Sequence, residues 1–410
     1  MRRDSLQSGR RKEQGLIISL VAVFTLFVVG AMAALAIDIT SLYTARSEAQ
    51  LAADAGALAG ARVLANSGMT SSTDLGLAGS AQAICQTVSN FVAQSNLVGG
   101  AAPTVTANTC SVSTQYNPQV TVSVQANLPT FFARIWGTTR TNITASATAE
   151  AFNPSGQDTY PTATSCVKPL LLPNTDPIGG GQLFDPSIGT IEPSPDDLLG
   201  NQVVLWRGPI PPPGKRWRFE AGDTDSPTPS FPPPPASSVA CNGSAGFSNF
   251  QLSIAGCVQT PIACNATVNT MANPPGFDID VQNAVNCLTQ ATATGGGDSM
   301  TADYPPSSAF QFFSGANNPA VQARSLNSDT EILVSNSLVT LPVYTGAPIP
   351  GNPATIVGFV QLFLYPTGSS STPGIPATVV NLVGCGNPGP GGTTIYGNGP
   401  SAVPVRLITP

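Results

Sequence analysis

The chain has 410 residues, of which 41% are hydrophobic and only 9% charged, and its formal net charge is −6. It contains no histidine, eight cysteines, 40 glycines and 39 prolines. Without histidine, Ser-His-Asp and Cys-His catalytic groups and His-x-x-x-His zinc sites are excluded. Without the five basic and two acidic residues among the first 15, the net charge becomes −9. This acidic remainder argues against binding to nucleic acid or to anionic lipid through overall charge.

The first predicted element is a membrane-spanning helix. Residues 16–37 carry no charged side chain. At ~1.5 Å per residue they are long enough to cross a hydrocarbon core of roughly 30 Å. Since basic flanks stay in the cytoplasm, we expect a cytoplasmic basic tail (1–15), a single transmembrane helix (16–37) and a body outside the cytoplasm. The basic flank consists of Arg2, Arg3, Arg10, Arg11 and Lys12.

Two kinds of cleavage are alternatives to a retained anchor. Ala34-Leu35-Ala36 has the small-x-small form of a secretory cleavage site, but the hydrophobic part of such a signal is usually only ~7–15 residues long. Prepilin-type cleavage would need a glutamate five residues into the mature chain. Cutting after Gly15 places Leu20 there, and cutting after Gly9 places Gln14 there. The retained anchor is the interpretation that fits the residues best.

All eight cysteines follow the predicted membrane helix, and none forms a C-x-x-C pair. This pattern gives little support to zinc or redox sites and suits disulfides in an oxidising compartment. Cys257 and Cys264 are a candidate pair that would close a short loop, and buried free thiols are the alternative. The cysteines are Cys85, Cys110, Cys166, Cys241, Cys257, Cys264, Cys287 and Cys385.

After the membrane, the helix is predicted to continue to about residue 65, because residues 38–65 contain no proline and mostly good helix formers. Small residues recur every three or four positions and form a stripe on which another element can pack closely. That element is either a sheet of the same domain or a helix of another subunit. The predicted packing face consists of Ala45, Ala49, Ala52, Gly56, Ala59 and Val63.

The elements that follow complete a predicted α+β unit over residues 38–152. Ser72 or Thr73 is a candidate cap for a second helix that runs to about residue 96. Residues 119–128 alternate apolar and polar side chains, as in a half-buried strand of an antiparallel sheet. Further strands are predicted over 104–110 and 141–152, and one helical turn over 131–136.

Residues 153–410 are rich in proline, glycine, serine and asparagine, and short apolar segments lie between the turn residues. This pattern predicts a β-rich domain with long loops. Residues 278–288 are predicted to be its one helix. The apolar segments are 202–206, 250–254, 331–334, 338–344, 355–365 and 377–383.

Acidic residues give only weak signals for chemistry. A pair of carboxylates would suffice for a glycosidase, but these residues lie in turn-rich sequence without distinguishing context. The D-x-D strings at 223–225 and 278–280 each supply two carboxylates, whereas calcium needs six to eight oxygen ligands. We therefore expect no enzymatic activity, metal or cofactor. The acidic candidates are Asp196, Asp197, Glu220, Asp278 and Asp280.

Residues 10–65 resemble the N-terminal domain of the TadG-like proteins of Tad (Flp-type) pilus-assembly systems. The resemblance is carried by Gly15, by Ala36-Ile37-Asp38, by Leu42-Tyr43 and by the alanine-rich run over 50–61. Weaker similarity extends through 129–134 and 145–150 to 166–169.

The resemblance implies a fold and a function. The fold is a transmembrane helix that extends into a pilin-like helix with a small antiparallel sheet, followed by a β-rich extracytoplasmic domain. The implied role is that of a membrane-anchored, non-enzymatic component of pilus assembly, located in the inner membrane with its body in the periplasm or outside the cell. Its implied partners are membrane lipid and other pilus-assembly or pilin-like proteins bound through the N-terminal helix. Longer family members carry a D-x-S-x-S metal site, and residues 185–189 lack its second serine. The alternative is an anchored surface-binding or adhesion module unrelated to pili.

Overall fold

The computed structural model describes residues 4–71, 78–112, 117–154, 162–192, 198–207, 214–223, 241, 247–257, 260–271, 279–292, 295–301, 308–346, 352–367, 374–386, 395–397 and 401–409. Over these residues the chain is a mixed α+β protein, which confirms the predicted class. A 3-10 helix spans Ala133–Trp136. The α-helices are α1 (Asp4–Ala65), α2 (Ala78–Ser95), α3 (Asn249–Ala255), α4 (Ile279–Thr289) and α5 (Pro319–Gln322).

The strands form four sheets. Those of the first half are β1 (Thr104–Ser111), β2 (Gln119–Pro129), β3 (Arg140–Ala151), β4 (Thr162–Thr164), β5 (Leu170–Pro173), β6 (Gln202–Trp206), β7 (Arg216–Arg218) and β8 (Glu220–Ala221). Those of the second half are β9 (Ile262–Ala263), β10 (Thr267–Asn269), β11 (Ser299–Met300), β12 (Phe312–Phe313), β13 (Glu331–Ile332), β14 (Leu338–Thr345), β15 (Pro353–Leu364), β16 (Ile375–Gly384), β17 (Ile395–Gly397) and β18 (Val405–Thr409).

Helix α1 is one continuous element of 62 residues that includes both the predicted membrane span and the predicted extension. In the described part of the chain it is the one helix long and apolar enough to cross a membrane. Its second half packs on α2 and on the sheet β1-β2-β3-β18. The N-terminal helix and the sheet therefore form one layered unit, as the sequence predicts.

Strand β2 shows why this sheet forms. Val120, Val122 and Val124 are buried against the helices, and the polar residues between them are half-buried on the other side. This is the period of two that a sheet with one covered face requires. Strand β3 pairs with β2 along its whole length, from Gln119↔Glu150 to Pro129↔Arg140.

The fourth strand of this sheet comes from a distant part of the sequence. β18 pairs antiparallel with β3, with Val405 opposite Ala151 and Arg406 opposite Glu150. Arg406 also forms an ion pair with the Glu150 carboxylate at 2.6 Å. The sequence assigns residues 405–409 to the second domain, but in the structure they complete the first sheet. The predicted domain limits as a whole stay a prediction.

The larger sheet has the order β7-β6-β16-β15-β14-β5-β8, with β10 beside β15, and its central strands are buried on both faces. Along β15, Val360, Leu362 and Leu364 belong to the core beneath α3 and α4. Phe359 belongs instead to the core shared with α1. Burial of both faces explains why β14, β15 and β16 read as nearly continuous apolar runs rather than as alternating ones.

A buried polar layer joins the end of α1 to this sheet. Asn381 donates to the Ala65 carbonyl at 2.7 Å, which satisfies one of the free carbonyls at the helix C-terminus. Gln361 donates to Asn66 at 3.0 Å. Asn153 donates to the carbonyls of Thr70 and Leu382 at 2.7 and 2.8 Å. The predicted boundary at 152/153 therefore falls at a fully buried residue rather than in an exposed linker.

The cysteines form four disulfides, which account for all eight. The predicted Cys257–Cys264 pair is wrong, because each partner bonds to a distant cysteine, and the alternative of buried free thiols is wrong as well. Long-range pairing of this kind follows the fold and cannot be read from spacing along the chain. The pairs are Cys85–Cys110, Cys166–Cys257, Cys241–Cys287 and Cys264–Cys385.

The second domain contains more helix than the sequence predicts. Residues 250–254 read as a strand-like apolar segment but lie in α3, where Ser248 and Gln251 form a reciprocal capping box. The predicted helix over 278–288 corresponds to α4. A further short helix, α5, begins after Asn318, which accepts a hydrogen bond from the Ala320 N–H.

Lys168 is a buried cation next to one of these disulfides. Its ammonium donates to the Gly256 carbonyl, and its backbone N–H donates to the Thr340 carbonyl at 3.0 Å. Burial lowers the pKa of Lys168 to about 7 from 10.5. Between these two values the unfolded chain binds a proton at Lys168 that the folded chain does not. The contribution of Lys168 to the free energy of unfolding therefore rises with pH in that window and is lowest at pH 7 and below.

Substitution of Lys168 with methionine is therefore expected to remove this pH dependence of the free energy of unfolding. From pH 7 to pH 9, the wild-type free energy of unfolding should rise relative to that of the Lys168→Met variant, by at most about 1.4 kcal/mol per pH unit for one proton. Urea denaturation at pH 7, 8 and 9 without reductant measures the slope. Lys215→Met, which removes an exposed lysine, is the control, and this variant should have the same slope as the wild type. Parallel slopes for wild type and Lys168→Met would contradict the expectation.

Candidate membrane-proximal interface

The first half of α1 presents apolar side chains that nothing in the described chain covers. Phe24 and Phe27 are 67% and 71% exposed, and the most apolar stretch of the helix has no buried residue. The hydroxyl of Thr25 donates to the Val21 carbonyl at 2.8 Å, so this polar group is satisfied within the helix. A helix of this kind suits a lipid environment, in which backbone and side-chain donors must be satisfied internally.

The predicted packing face lies on the second half of α1 and is covered by the chain itself. Ala45, Ala49, Ala52, Gly56 and Val63 are buried, and Ala59 is half-buried. The covering elements are α2 and the β1-β2-β3-β18 sheet. Of the two alternatives predicted for this face, the structure shows packing on elements of the same chain rather than on another subunit.

Two glycines set how closely these layers approach. A Cβ at Gly56 would lie 2.9 Å from the Ala93 Cβ and 3.4 Å from Val122 Cγ1. A Cβ at Gly60 would collide with the Ser89 hydroxyl and lie 2.9 Å from Val120 Cγ1. Real Cβ atoms are essentially never closer than 3.0 Å to a heavy atom of a non-neighbouring residue. The small residues are therefore required for the packing within this domain.

Asp38 fixes a loop at the point where the apolar run ends. Its carboxylate accepts hydrogen bonds from three successive backbone N–H groups, those of Phe131 (2.9 Å), Phe132 (3.0 Å) and Ala133 (2.7 Å). These groups open the 3-10 helix Ala133–Trp136, whose free N–H groups favour a negative charge. Gly137 ends the turn with a φ of +91°, a value that glycine adopts readily.

Removal of the Asp38 carboxylate is expected to free this loop. In Asp38→Ala the three N–H groups lose a charged acceptor, so the amides of residues 131–133 should exchange with solvent at least about tenfold faster, equivalent to about 1.4 kcal/mol. Hydrogen-exchange mass spectrometry of the full chain measures this rate.

Asp54→Ala is the matched control for this exchange measurement. It removes a half-buried carboxylate of the same helix, which accepts a hydrogen bond from the Gln50 side chain at 2.8 Å. Its effect on the loop amides should be negligible. Unchanged exchange at residues 131–133 in Asp38→Ala would show that the carboxylate does not hold the loop.

The comparisons with known proteins bear on this part of the chain. Residues 15–63 match a family model, Tad, described as putative Flp pilus-assembly TadE/G-like. The N-terminal segment is Tad-like. This match confirms the predicted resemblance over most of α1, a segment that is well under half of the chain. No curated protein and no solved structure matches the chain.

Within the Tad-like segment, the exposed side of α1 lies opposite the buried face. Tyr43 and Leu51 are 71% and 61% exposed, and Arg46 and Ser47 between them are also exposed. Among the described residues of the second half of α1, the small-residue side is covered by the chain itself, and this side is left open.

Acidic groups elsewhere do not converge on a site. Among the described residues, no three His, Cys, Asp or Glu side chains lie close enough to hold a metal ion. Asp185 accepts from the N–H and hydroxyl of Ser187 at 2.8 and 2.6 Å, so this pair closes a local turn. Asp278 and Asp225 of the D-x-D strings, and the acids at 196 and 197, lie outside the described residues.

Two residues of the Tad-like segment have roles that the sequence did not predict. Asp38 belongs to the motif that carries the resemblance, but its partners follow about 93 residues later, so no local pattern reveals them. Gly60 was not assigned to the packing face, although it has the tightest contacts of the glycines on α1. Its position four residues after Gly56 was the available signal.

Proposed function

We propose that this protein is a single-pass, non-enzymatic component of a Flp-type pilus-assembly system, with its N-terminus in the cytoplasm and its body outside. The observation that carries the proposal is the coincidence of two features in one element. The segment similar to the TadE/G-like family, residues 15–63, is also the segment of α1 that exposes an uncovered apolar surface and then packs on a folded body.

The orientation is supported by charge and by cysteine chemistry. Five basic residues precede the apolar run, and such residues stay in the cytoplasm. All eight cysteines follow the run and form disulfides, which persist in oxidising compartments. Both features favour a body in the periplasm or at the cell surface.

A non-enzymatic role is supported by what the chain offers for chemistry. It has no histidine, and every cysteine is tied in a disulfide. Glu220, one of the acidic candidates, forms an ion pair with Arg207 at 3.1 Å beside the large sheet. This ion pair gives the Glu220 carboxylate a structural role.

The partner surface is proposed to be the exposed side of α1 around Tyr43 and Leu51. These side chains remain free of the described body, and they lie in the half of the Tad-like segment outside the membrane. We propose that another pilus-assembly or pilin-like protein binds here.

Site-specific photo-crosslinking in a host with a Flp-type pilus tests both parts of this proposal. Photoreactive residues at Tyr43 and Leu51 should capture pilus-assembly proteins, whereas one at Leu407, an exposed position on β18, should not. Deletion of the chain should reduce surface pili, and wild-type chain should restore them. Normal piliation after deletion, with no pilus protein captured at either position, would overturn the proposal.

Alkaline phosphatase fusions test the orientation separately. The enzyme is active only outside the cytoplasm, so a fusion after residue 154 should be active and one before residue 4 inactive. The reverse pattern, or recovery of the chain in the soluble cytosol, would contradict the proposed anchor.

A further inference from the structure

We propose that the tip of the β2–β3 hairpin, residues 130–139, is a second membrane contact, which rests on the headgroup region of the bilayer that α1 crosses. The occupant of this surface is phospholipid. The inference rests on the proposed function only in that α1 must span the membrane, and it does not depend on the pilus partner.

The hairpin runs along α1 toward the membrane. Val120 of β2 packs at Gly60, and Val122 packs at Gly56, so β2 moves toward the N-terminus of α1 as it proceeds. After Pro129 the chain reaches Asp38 and binds it through three N–H groups. Asp38 is the first residue after the apolar run, so the tip lies at the depth where the helix leaves the hydrocarbon core.

The tip carries exposed apolar side chains, which are suited to the boundary of the bilayer. Phe131 is 61% and Ile135 is 74% exposed, although the loop around them is fixed by Asp38. Large apolar groups on an anchored loop would be costly in water, and they are favourable at the boundary between headgroups and acyl chains. The loop that carries them is bound to Asp38, the residue that directly follows the uncovered apolar run of α1.

The charge at the tip also matches phospholipid, although the whole body is acidic. Arg134 is exposed on the tip. Arg140, the first residue of β3, is also exposed, but its guanidinium donates to the side chain and the carbonyl of Asn127. The acidic group nearby, Asp38, is buried and occupied by backbone N–H groups. The Arg134 guanidinium therefore provides a cation for lipid phosphates, to which Arg forms bidentate hydrogen bonds.

Three exposed phenylalanines allow a matched test. Phe27 lies in the apolar run, Phe131 on the tip, and Phe91 on α2, and Phe27 and Phe91 are equally exposed at 71%. Phe91 lies beside Ser89 and Ala93, which contact Gly56, about 27 Å beyond Asp38 along α1 at ~1.5 Å per residue. Each phenylalanine is replaced in turn by photoreactive p-benzoylphenylalanine in the full chain, and membranes are irradiated before mass spectrometry of the adducts.

We expect phospholipid adducts at positions 27 and 131, and at least about tenfold fewer at 91, because headgroups extend only some 5–8 Å beyond the hydrocarbon core. Lipid adducts at 27 but not at 131, protein adducts alone at 131, or equal lipid yields at 131 and 91 would each overturn the inference. Absence of lipid adducts at 27 would instead overturn the anchor itself, and with it the localisation proposed above.

Position 135 provides a second label if replacement of Phe131 disturbs the fold. Ile135 lies on the same turn and is more exposed than Phe131. Formation of the Cys85–Cys110 disulfide, read by resistance to thiol alkylation, reports whether each labelled chain has folded. A folded chain without lipid adducts at 135 would count against the inference in the same way.

Discussion

Replacement of Gly60 with leucine is expected to disrupt the packing of α1 on α2 and β2. The first atom of the new side chain would overlap the Ser89 hydroxyl and approach Val120 and the Cys85 sulfur at 2.9 and 3.1 Å. These contacts come from both layers, so neither can yield without moving the other. Overpacking usually costs about 1–3 kcal/mol, and we expect the loss here at the upper end or beyond.

The effect of Gly60→Leu can be measured as the urea midpoint of the detergent-solubilised full chain and as the fraction of Cys85–Cys110 disulfide formed. Gly79→Leu is the matched control, because Gly79 is on α2 and a Cβ there meets nothing within 4 Å. That control should be neutral or slightly stabilising, since leucine is the better helix former. Equal midpoints for the two variants would show that the close approach at Gly60 is not required.

Loss of the Cys264–Cys385 disulfide is expected to cost about 5 kcal/mol of unfolding free energy, in the chain-entropy account of crosslinking. The bond joins residues 121 apart in sequence, and both sulfurs are buried in the core shared by α1 and the large sheet. A double substitution to alanine avoids a lone thiol that could exchange with other disulfides. The measurement is again the urea midpoint and slope of the full chain.

The Cys85–Cys110 pair is the comparison for that experiment. It closes a separation of only 25 residues, for which the same account gives about 3.5 kcal/mol. The ranking of the two double-alanine variants is therefore predicted, along with the magnitude. A smaller loss for Cys264 and Cys385 than for Cys85 and Cys110 would contradict the importance given to loop length.

The elements of the N-terminal unit were largely predictable because each is encoded locally. An uncharged run of membrane length, a proline-free continuation and a strand of period two specify α1 and β2 without knowledge of their partners. The family match coincides with the same residues. Charge and periodicity agree over this segment, which explains why the predicted class and resemblance are confirmed.

The remainder depends on contacts between residues far apart in sequence. Asn381 caps α1, Asn153 binds both Thr70 and Leu382, and Asp38 holds a loop that follows β2. Each is an ordinary polar residue until the fold brings its partner close. The disulfides show the same limit, since Cys257 is near Cys264 in sequence but bonds to Cys166. Residues 250–254 form a helix because tertiary packing and a capping box outweigh a short apolar run.

Strand β18 has a consequence for the order in which the chain can fold. Residues 151 and 405 pair although 253 residues lie between them in the sequence, so this pairing must wait for the segment that follows the first three strands. Contacts of such long range form late, because closing a large loop is costly before other contacts compensate. Until then the edge of β3 stays open to pairing with other chains. The sheet beside α1 is therefore completed only by the end of the chain, and in the orientation proposed above its closure would require that the residues before β18 have already been exported.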